Sequence, residues 1–258
     1  MLPVVALFVH VPLSDIFHQL SNPVVTTALE ISFKTSLAAQ IAILILGTPT
    51  AWFLASRRFR GRSLAVTIVE LPIVLPPAVA GLGLIVAFGR FGLLGSTLRF
   101  LPSWIPLHPN FNETAVVFAV ALVAGPFYVR QGIAAFEAVD PNMIAASRTL
   151  GAGPLKTFLR VTMPLARGGL AAGLALSIAR GLGEFGATIM FAGSFPGRTE
   201  TMPLVVYTVF ESQGGLVVPL TISVILVIIS LAILLTLKAS GLWTRARPAF
   251  SGLGRTSS

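Results

Sequence analysis

The chain has 258 residues, of which 55% are hydrophobic and 10% charged, and its mean hydropathy is +0.88. A soluble domain needs far more charged surface than that, so the composition excludes one and specifies an integral membrane protein. A net charge of +9 would suit a nucleic-acid partner, but the basic residues recur between apolar stretches, which is the mark of membrane topology. With no cysteine, disulfides, thiol catalysis and thiolate metal sites are excluded. His10, His18 and His108 are scattered without ligand spacing, so neither a metal site nor a cofactor is expected. No basic region precedes Leu2, so a cleavable signal peptide is not expected either.

In chain order, residues 1–11 are apolar but far short of the roughly 20 that span a bilayer as a helix. They form an interfacial segment or the tail of a first span. Residues 14–28 read as a polar connection. The first complete span is expected at about 29–55 and closes on Arg57, Arg58, Arg60 and Arg62, the densest basic cluster in the chain. By the positive-inside rule that cluster is cytoplasmic. The second span, about 64–88, contains ELPIVLPP at 70–77. Pro72, Pro76 and Pro77 remove backbone donors there and are expected to kink or interrupt the helix. Freed carbonyls are tolerated in a bilayer where protein or a water-filled path covers them. These prolines are therefore candidates for the path, with a purely structural kink as the alternative.

An external loop at 89–112 leads to a third span at about 113–131, which returns to Arg130 at the cytoplasmic surface. Residues 137–164 are polar and basic, the fourth span runs outward over about 165–190, and 191–215 are external. A last span, about 216–237, comes back to Lys238, Arg245 and Arg247. Only Arg90, Arg99 and Arg198 then lie outside, and Lys34 and Arg180 lie within spans; the other 13 of the 18 basic residues are cytoplasmic. No helix repeat of fixed period is present, and residues 1–258 read as a single transmembrane domain of five to six helices.

The loop at 137–164, EAVDPNMIAASRTLGAGPLKTFLRVTMP, is more than a connection needs. Asp140 before Pro141 is an N-cap followed by proline at the first helical position. Met143, Ile144, Ser147 and Leu150 share a face, and Gly151 ends the helix. A second short helix is expected from Pro154 to Met163, giving a helical finger with an apolar tip. Two phosphate-site lookalikes carry no weight. GLGEFG at 181–186 lies in a membrane helix with no strand before it, and in GAGPLKT at 151–157 Leu155 stands where a P-loop has glycine before its lysine. The chain has no nucleotide site of its own and no convergent titratable cluster, so catalysis is not expected.

Gly169 and Gly173 form a small-xxx-small pair suited to close helix packing, within the subunit or between subunits. Arg180 and Glu184 are four apart and share a helix face at membrane depth, among Gly181, Gly183 and Gly186. They read either as a buried ion pair holding helices in register or as part of a substrate path for an anion.

The 137–164 stretch resembles the coupling loop of binding-protein-dependent ABC importers. The frame is Ala145-Ala146-Ser147, then Arg148-Thr149-Leu150, Gly151, nine further residues, and Val161-Thr162-Met163-Pro164. Ala145 replaces the family's Glu, Ser147 its second Ala and Met163 its usual Leu. RGLGEFGA at 180–187, MFAGS at 190–194, PGRTETMPL at 196–204, ELPIVLPP at 70–77 and AFEAVDP at 135–141 are similar to the molybdate permease signature. Sulfate permeases share the Gly-Glu-Phe-Gly core.

The resemblance implies an all-α, type I ABC importer permease fold in the bacterial inner membrane, carrying molybdate, with tungstate or sulfate as alternatives. It also implies a homodimer with the path at the subunit interface, two ATPase subunits below and an extracytoplasmic solute-binding protein above. Ala145, Ala146, Ser147, Arg148, Thr149, Leu150, Gly151, Ala152 and Gly153 would then form the ATPase-coupling turn. Pro72, Pro76, Pro77, Arg180 and Glu184 are the candidates for path or gate. The alternative class is an ATP-independent secondary transporter, usually built from inverted repeats; none is visible here, and such a transporter would leave the finger unexplained.

Overall fold

The computed structural model of the chain describes residues 2–12, 16, 20–89, 92–94, 112–213 and 217–239, and among these every regular element is a helix. Most of the loop expected at 89–112, including Arg90 and Arg99, and Arg245, Arg247 and Arg255 near the C-terminus lie outside the described residues. Four described helical stretches are long and apolar enough to cross a membrane, or five if a sharply bent pair counts as one span.

α1 (Leu2–His10) has nine residues, short of a crossing, and packs against the last helix. α2 (Pro23–Ser56) starts earlier than the hydropathy suggests. The reason is local: Asn22 Oδ1 accepts the Val24 N–H at 3.0 Å, and Pro23 fits the first helical turn. At 34 residues it is about 51 Å long, well beyond a hydrocarbon core of about 30 Å.

The second expected span is two helices, α3 (Arg62–Val74) and α4 (Pro77–Phe88), whose axes turn through 115°. Pro72 is accommodated inside α3. Pro76 and Pro77 make the break, because two successive residues without an N–H cannot continue the ladder.

α5 (Glu113–Glu137) is the hub, touching α2, α3, α4, and the later α8 and α9. Its Ala115, Ala119 and Ala124 are fully buried, and small side chains of this kind let helices approach closely. It begins on Asn112, whose Oδ1 accepts the Ala115 N–H, and runs six residues past the expected end at 131.

After α6 (Pro141–Thr149) the chain does not make a second free helix ending at Pro164. α7 (Pro154–Thr157), a π turn (Phe158–Thr162) and α8 (Met163–Leu182) form one continuous stretch, Pro154–Leu182. Pro164 would clash with a carbonyl four residues back in a regular helix, and the wider π turn just before it relieves that. The fourth span then stops early. Residues 183–185 break it, and the helix restarts as α9 (Gly186–Ala192).

The segment expected as an external connection at 191–215 contains α10 (Met202–Gln213), which packs on α2 and on α11 (Val217–Ala239). Met202, Leu204 and Val205 are fully buried, and the Met202 N–H donates to Ser32 Oγ at 2.8 Å. Two cores result. The larger gathers α2, α4, α5, α8 and α9; the smaller joins the start of α2 to α10 and α11.

The small-residue pair on α8 serves packing inside the subunit. A methyl group at Gly169 would lie 2.5 Å from Cβ of Ala135, and one at Gly173 would lie 3.0 Å from Cβ of Gln131. Gly169→Leu is therefore expected to force α5 and α8 apart at a cost of about 1–3 kcal/mol. This would be read as a lower thermal midpoint of the detergent-purified protein. Gly83→Ala is the control, since nothing lies within 4 Å of an added methyl there, and its midpoint is expected to stay at the wild-type value.

Candidate functional site: a helical hairpin and two interrupted helices

The hairpin is built by its caps. Asp140 Oδ1 accepts the Asn142 N–H at 2.9 Å and starts α6. At the other end Gly151 takes φ +79°, a left-handed conformation that side chains rarely adopt. Its N–H donates to Arg148 O at 3.0 Å, and the Ala152 N–H reaches back to Ser147 O at 3.1 Å. These two bonds close the helix and reverse the chain. Ser147 and Thr157 then share a hydroxyl hydrogen bond of 3.2 Å across the two arms. Ser147, a departure from the family frame, thus cross-links the hairpin.

Phe158 anchors the base, 4.6 Å from Trp52 and 6.0 Å from Phe136 between ring centroids. Arg62 adds a second anchor: it pairs with Glu137, and its Nε donates to Leu54 O at 2.6 Å. What the hairpin presents outward is apolar. Leu150 is 88% exposed and Leu155 70%, with Met143 and Leu159 also exposed. Ala145, Ala146, Arg148, Thr149 and Gly153 are exposed beside them, and Ala152 is half-buried. The nine residues singled out in the sequence therefore span the second half of α6 and the reversal that follows it.

The second constellation lies deep in the bundle. At the break after α8 the Glu184 carboxylate is 3% exposed, and its Oε1 accepts the Ala187 N–H at 2.8 Å. It acts as the cap from which α9 restarts. Its Oε2 lies 2.8 Å from Arg180 Nη2, an ion-pair contact whose angles do not make a hydrogen bond. One turn earlier, Ser177 Oγ donates to Gln40 Oε1 at 3.0 Å.

The two interrupted helices seat on each other here. A methyl at Gly186 would lie 2.7 Å from Pro77 Cβ, and one at Gly81 would lie 2.7 Å from Met190 Cβ. Pro76 and Pro77 thus sit beside the Arg180–Glu184 break. Pro72 does not join them: it lines an apolar groove of about 340 Å³ with Leu46, Ile68 and Val69, between α2, α3 and α5.

Sequence reasoning missed a third ion pair. Arg130, expected at the cytoplasmic surface, stands seven residues inside the end of α5, about 10 Å along the helix. There its Nε lies 3.5 Å from Glu70 Oε1 of α3. The available signal was a lone carboxylate in an apolar span, which needs a partner at its own depth. Lys34, also within a span, pairs with Glu30 one turn away on an exposed face. Among the described residues no three His, Asp or Glu side chains approach closely enough to hold a metal ion.

A bundle with a protruding hairpin between two central helices, and with interrupted helices meeting in its interior, is the fold of a type I ABC importer permease. Solved structures share it. A bacterial ABC transporter involved in import of the acidic polysaccharide alginate superposes with a TM-score of 0.69 at 17% identity, covering 91% of this chain and 84% of that one. The MetNI methionine ABC transporter gives 0.62 at 19%, covering 90% and 98%.

Residues 43–243 match the model of the family described as binding-protein-dependent transport system inner membrane component, and the chain belongs to that family. Among its relatives, the molybdenum transport system permease protein ModB of Mycobacterium tuberculosis is 39% identical over 240 residues, covering 92% of this chain and 88% of that protein. ModB of Escherichia coli (strain K12) is 39% identical over 188 residues, 73% of this chain and 81% of that protein. The sulfate transport system permease protein CysW of Synechocystis is 33% identical over 214 residues, covering 80% and 74%.

The roles of Arg180 and Glu184 separate in a double-mutant cycle. Arg180→Met leaves a buried carboxylate uncompensated, which costs about 3–5 kcal/mol and is expected to lower membrane abundance. Glu184→Gln keeps an oxygen for the Ala187 N–H. The double variant removes both charges and is therefore expected to recover abundance; uptake that stays low would assign Arg180 to the path. Recovery of both would leave Arg180 as a counter-ion only.

Proposed function

We propose that the chain is the membrane-spanning subunit of an ATP-driven importer for molybdate, working as a homodimer with two ATPase subunits and an extracytoplasmic binding protein. The observation that carries this reading is the hairpin. A rigid, cross-linked turn with apolar residues at its tip is a built docking surface for a second protein, and it continues without interruption into α8, whose last turn carries Arg180. A push on the hairpin is thereby delivered to the interrupted helices. With no nucleotide motif in the chain, the energy comes from the partner.

The substrate follows from the relatives' names together with the chemistry of the break. Arg180 is a cation that attracts an oxyanion, and Glu184 balances it so that the anion is not held too tightly, while Pro76 and Pro77 stand beside that break. Pro72, in its groove, belongs to the packing of α3. α3 has no buried residue, and it exposes Leu64, Ile68, Leu71 and Val74, which supports a second copy of the chain packing on that face. The identity with a sulfate permease keeps sulfate as the second reading, with tungstate beside it as a tetrahedral oxyanion of the same kind.

Coupling is tested at Gly151. A valine there strains a residue held at φ +79°, and β-branching makes that conformation worse. Gly151→Val is expected to reach the membrane in normal amount, since nothing lies within 4 Å of an added side chain. Transport is expected to drop at least tenfold, with loss of substrate-stimulated ATPase activity, from a strain of about 1–3 kcal/mol at the docking turn. Wild-type uptake in this variant would refute the coupling role.

A further inference from the structure

At the foot of α2 lies a cleft of about 510 Å³, walled by the end of α2, the start of α3, the end of α5 and the side of α6. Arg58, Arg62 and Arg148 line it, and its only lining carboxylate, Glu137, is already paired with Arg62. Three guanidinium groups against one carboxylate leave an excess of two positive charges. Neither Arg58 nor Arg148 has an acidic partner within salt-bridge distance among the described residues. Trp52, Phe136 and Ile144 add an apolar part to the same lining. Trp52 stands one turn before the end of α2 at Ser56, and a tryptophan near the end of a membrane helix favours the headgroup region.

Charge and position together select the occupant. A free phosphate would find the cations but gain nothing from the apolar part of the lining. A phosphate carried on an apolar body satisfies both parts, in the headgroup region that Trp52 favours. We infer that this cleft binds the headgroup of one anionic phospholipid, with its phosphate between Arg58 and Arg148 and its glycerol region against Trp52. The site rests on the chain's place in a membrane and not on which anion it transports. A lipid held there would bridge the end of α2 to the hairpin through α6, so the surrounding bilayer would bear on the position of the docking turn.

The test uses the full chain purified with its ATPase partner and titrated with phosphatidylglycerol or phosphatidylcholine, with bound lipid counted by native mass spectrometry. Arg58 is exposed and makes no ion pair among the described residues, so Arg58→Gln should fold normally. Arg57→Gln is the control: Arg57 belongs to the same basic cluster but does not line the cleft. Arg58→Gln is expected to weaken phosphatidylglycerol binding roughly five-fold, the value of one juxtamembrane cation. Arg57→Gln should bind as wild type, and phosphatidylcholine should bind weakly throughout.

Equal losses in the two variants would show a diffuse surface field and overturn the site. Displacement of the lipid by an equal concentration of inorganic phosphate would assign the cleft to free anions instead. Unchanged lipid binding with release of the ATPase in Arg58→Gln would make it a protein-docking surface.

Discussion

Glu184 satisfies two demands that a membrane interior sets against each other. The helix that ends at Leu182 leaves backbone groups without partners, and in hydrocarbon no water is present to take them. The carboxylate answers by accepting the Ala187 N–H and restarting the chain as α9. A nearly fully buried carboxylate is itself costly, and Arg180, one helical turn back, offsets that charge. The arrangement permits an interruption at mid-bundle. The matching interruption at Pro76 and Pro77 packs directly onto it, with glycines at 81 and 186 giving the room. Ala80 and Leu84 of α4 and Ala187 and Phe191 of α9 complete the contact within the larger core.

The remaining architecture transmits position to that point. α5 holds α2, α3, α4, α8 and α9 around itself through small buried side chains, so movement of one neighbour is felt by the others. The hairpin connects two of these elements, leaving α5 at Glu137 and entering α8 through a continuous helix. Its base is fixed twice, by Phe158 against Trp52 and by Arg62 on Glu137. A hairpin anchored at the base and rigid across its arms carries a displacement; a flexible loop would absorb it.

Much of this was legible in the sequence wherever a single residue dictates local geometry. Asp140-Pro141 and Gly151 specified the caps of α6, and the prolines at 76 and 77 specified the break after α3. Arg180 and Glu184, four residues apart at membrane depth, announced their own contact. Hydropathy misled where it averages over unlike pieces. The helix at Met202–Gln213 was hidden in a segment that also holds Arg198 and two turn glycines, so the whole read as an external connection. Pro164 looked like a terminator because a π turn, which no periodicity signals, absorbs it. The Glu70–Arg130 pair joins residues 60 apart in sequence; the lone carboxylate signals the need for a partner, but packing alone decides which one.

On the proposed function, hydrolysis by a separate subunit, delivered through the hairpin, moves a tetrahedral oxyanion past Arg180. The most direct test is uptake of radiolabelled molybdate into proteoliposomes that hold this chain, its ATPase and its binding protein, with sulfate as competitor. Accumulation is expected to require ATP, to stop when the ATPase subunit cannot hydrolyse it, and to be resisted only weakly by excess sulfate. Accumulation without ATP would contradict the account, because the chain would then transport unaided and the hairpin would have no task.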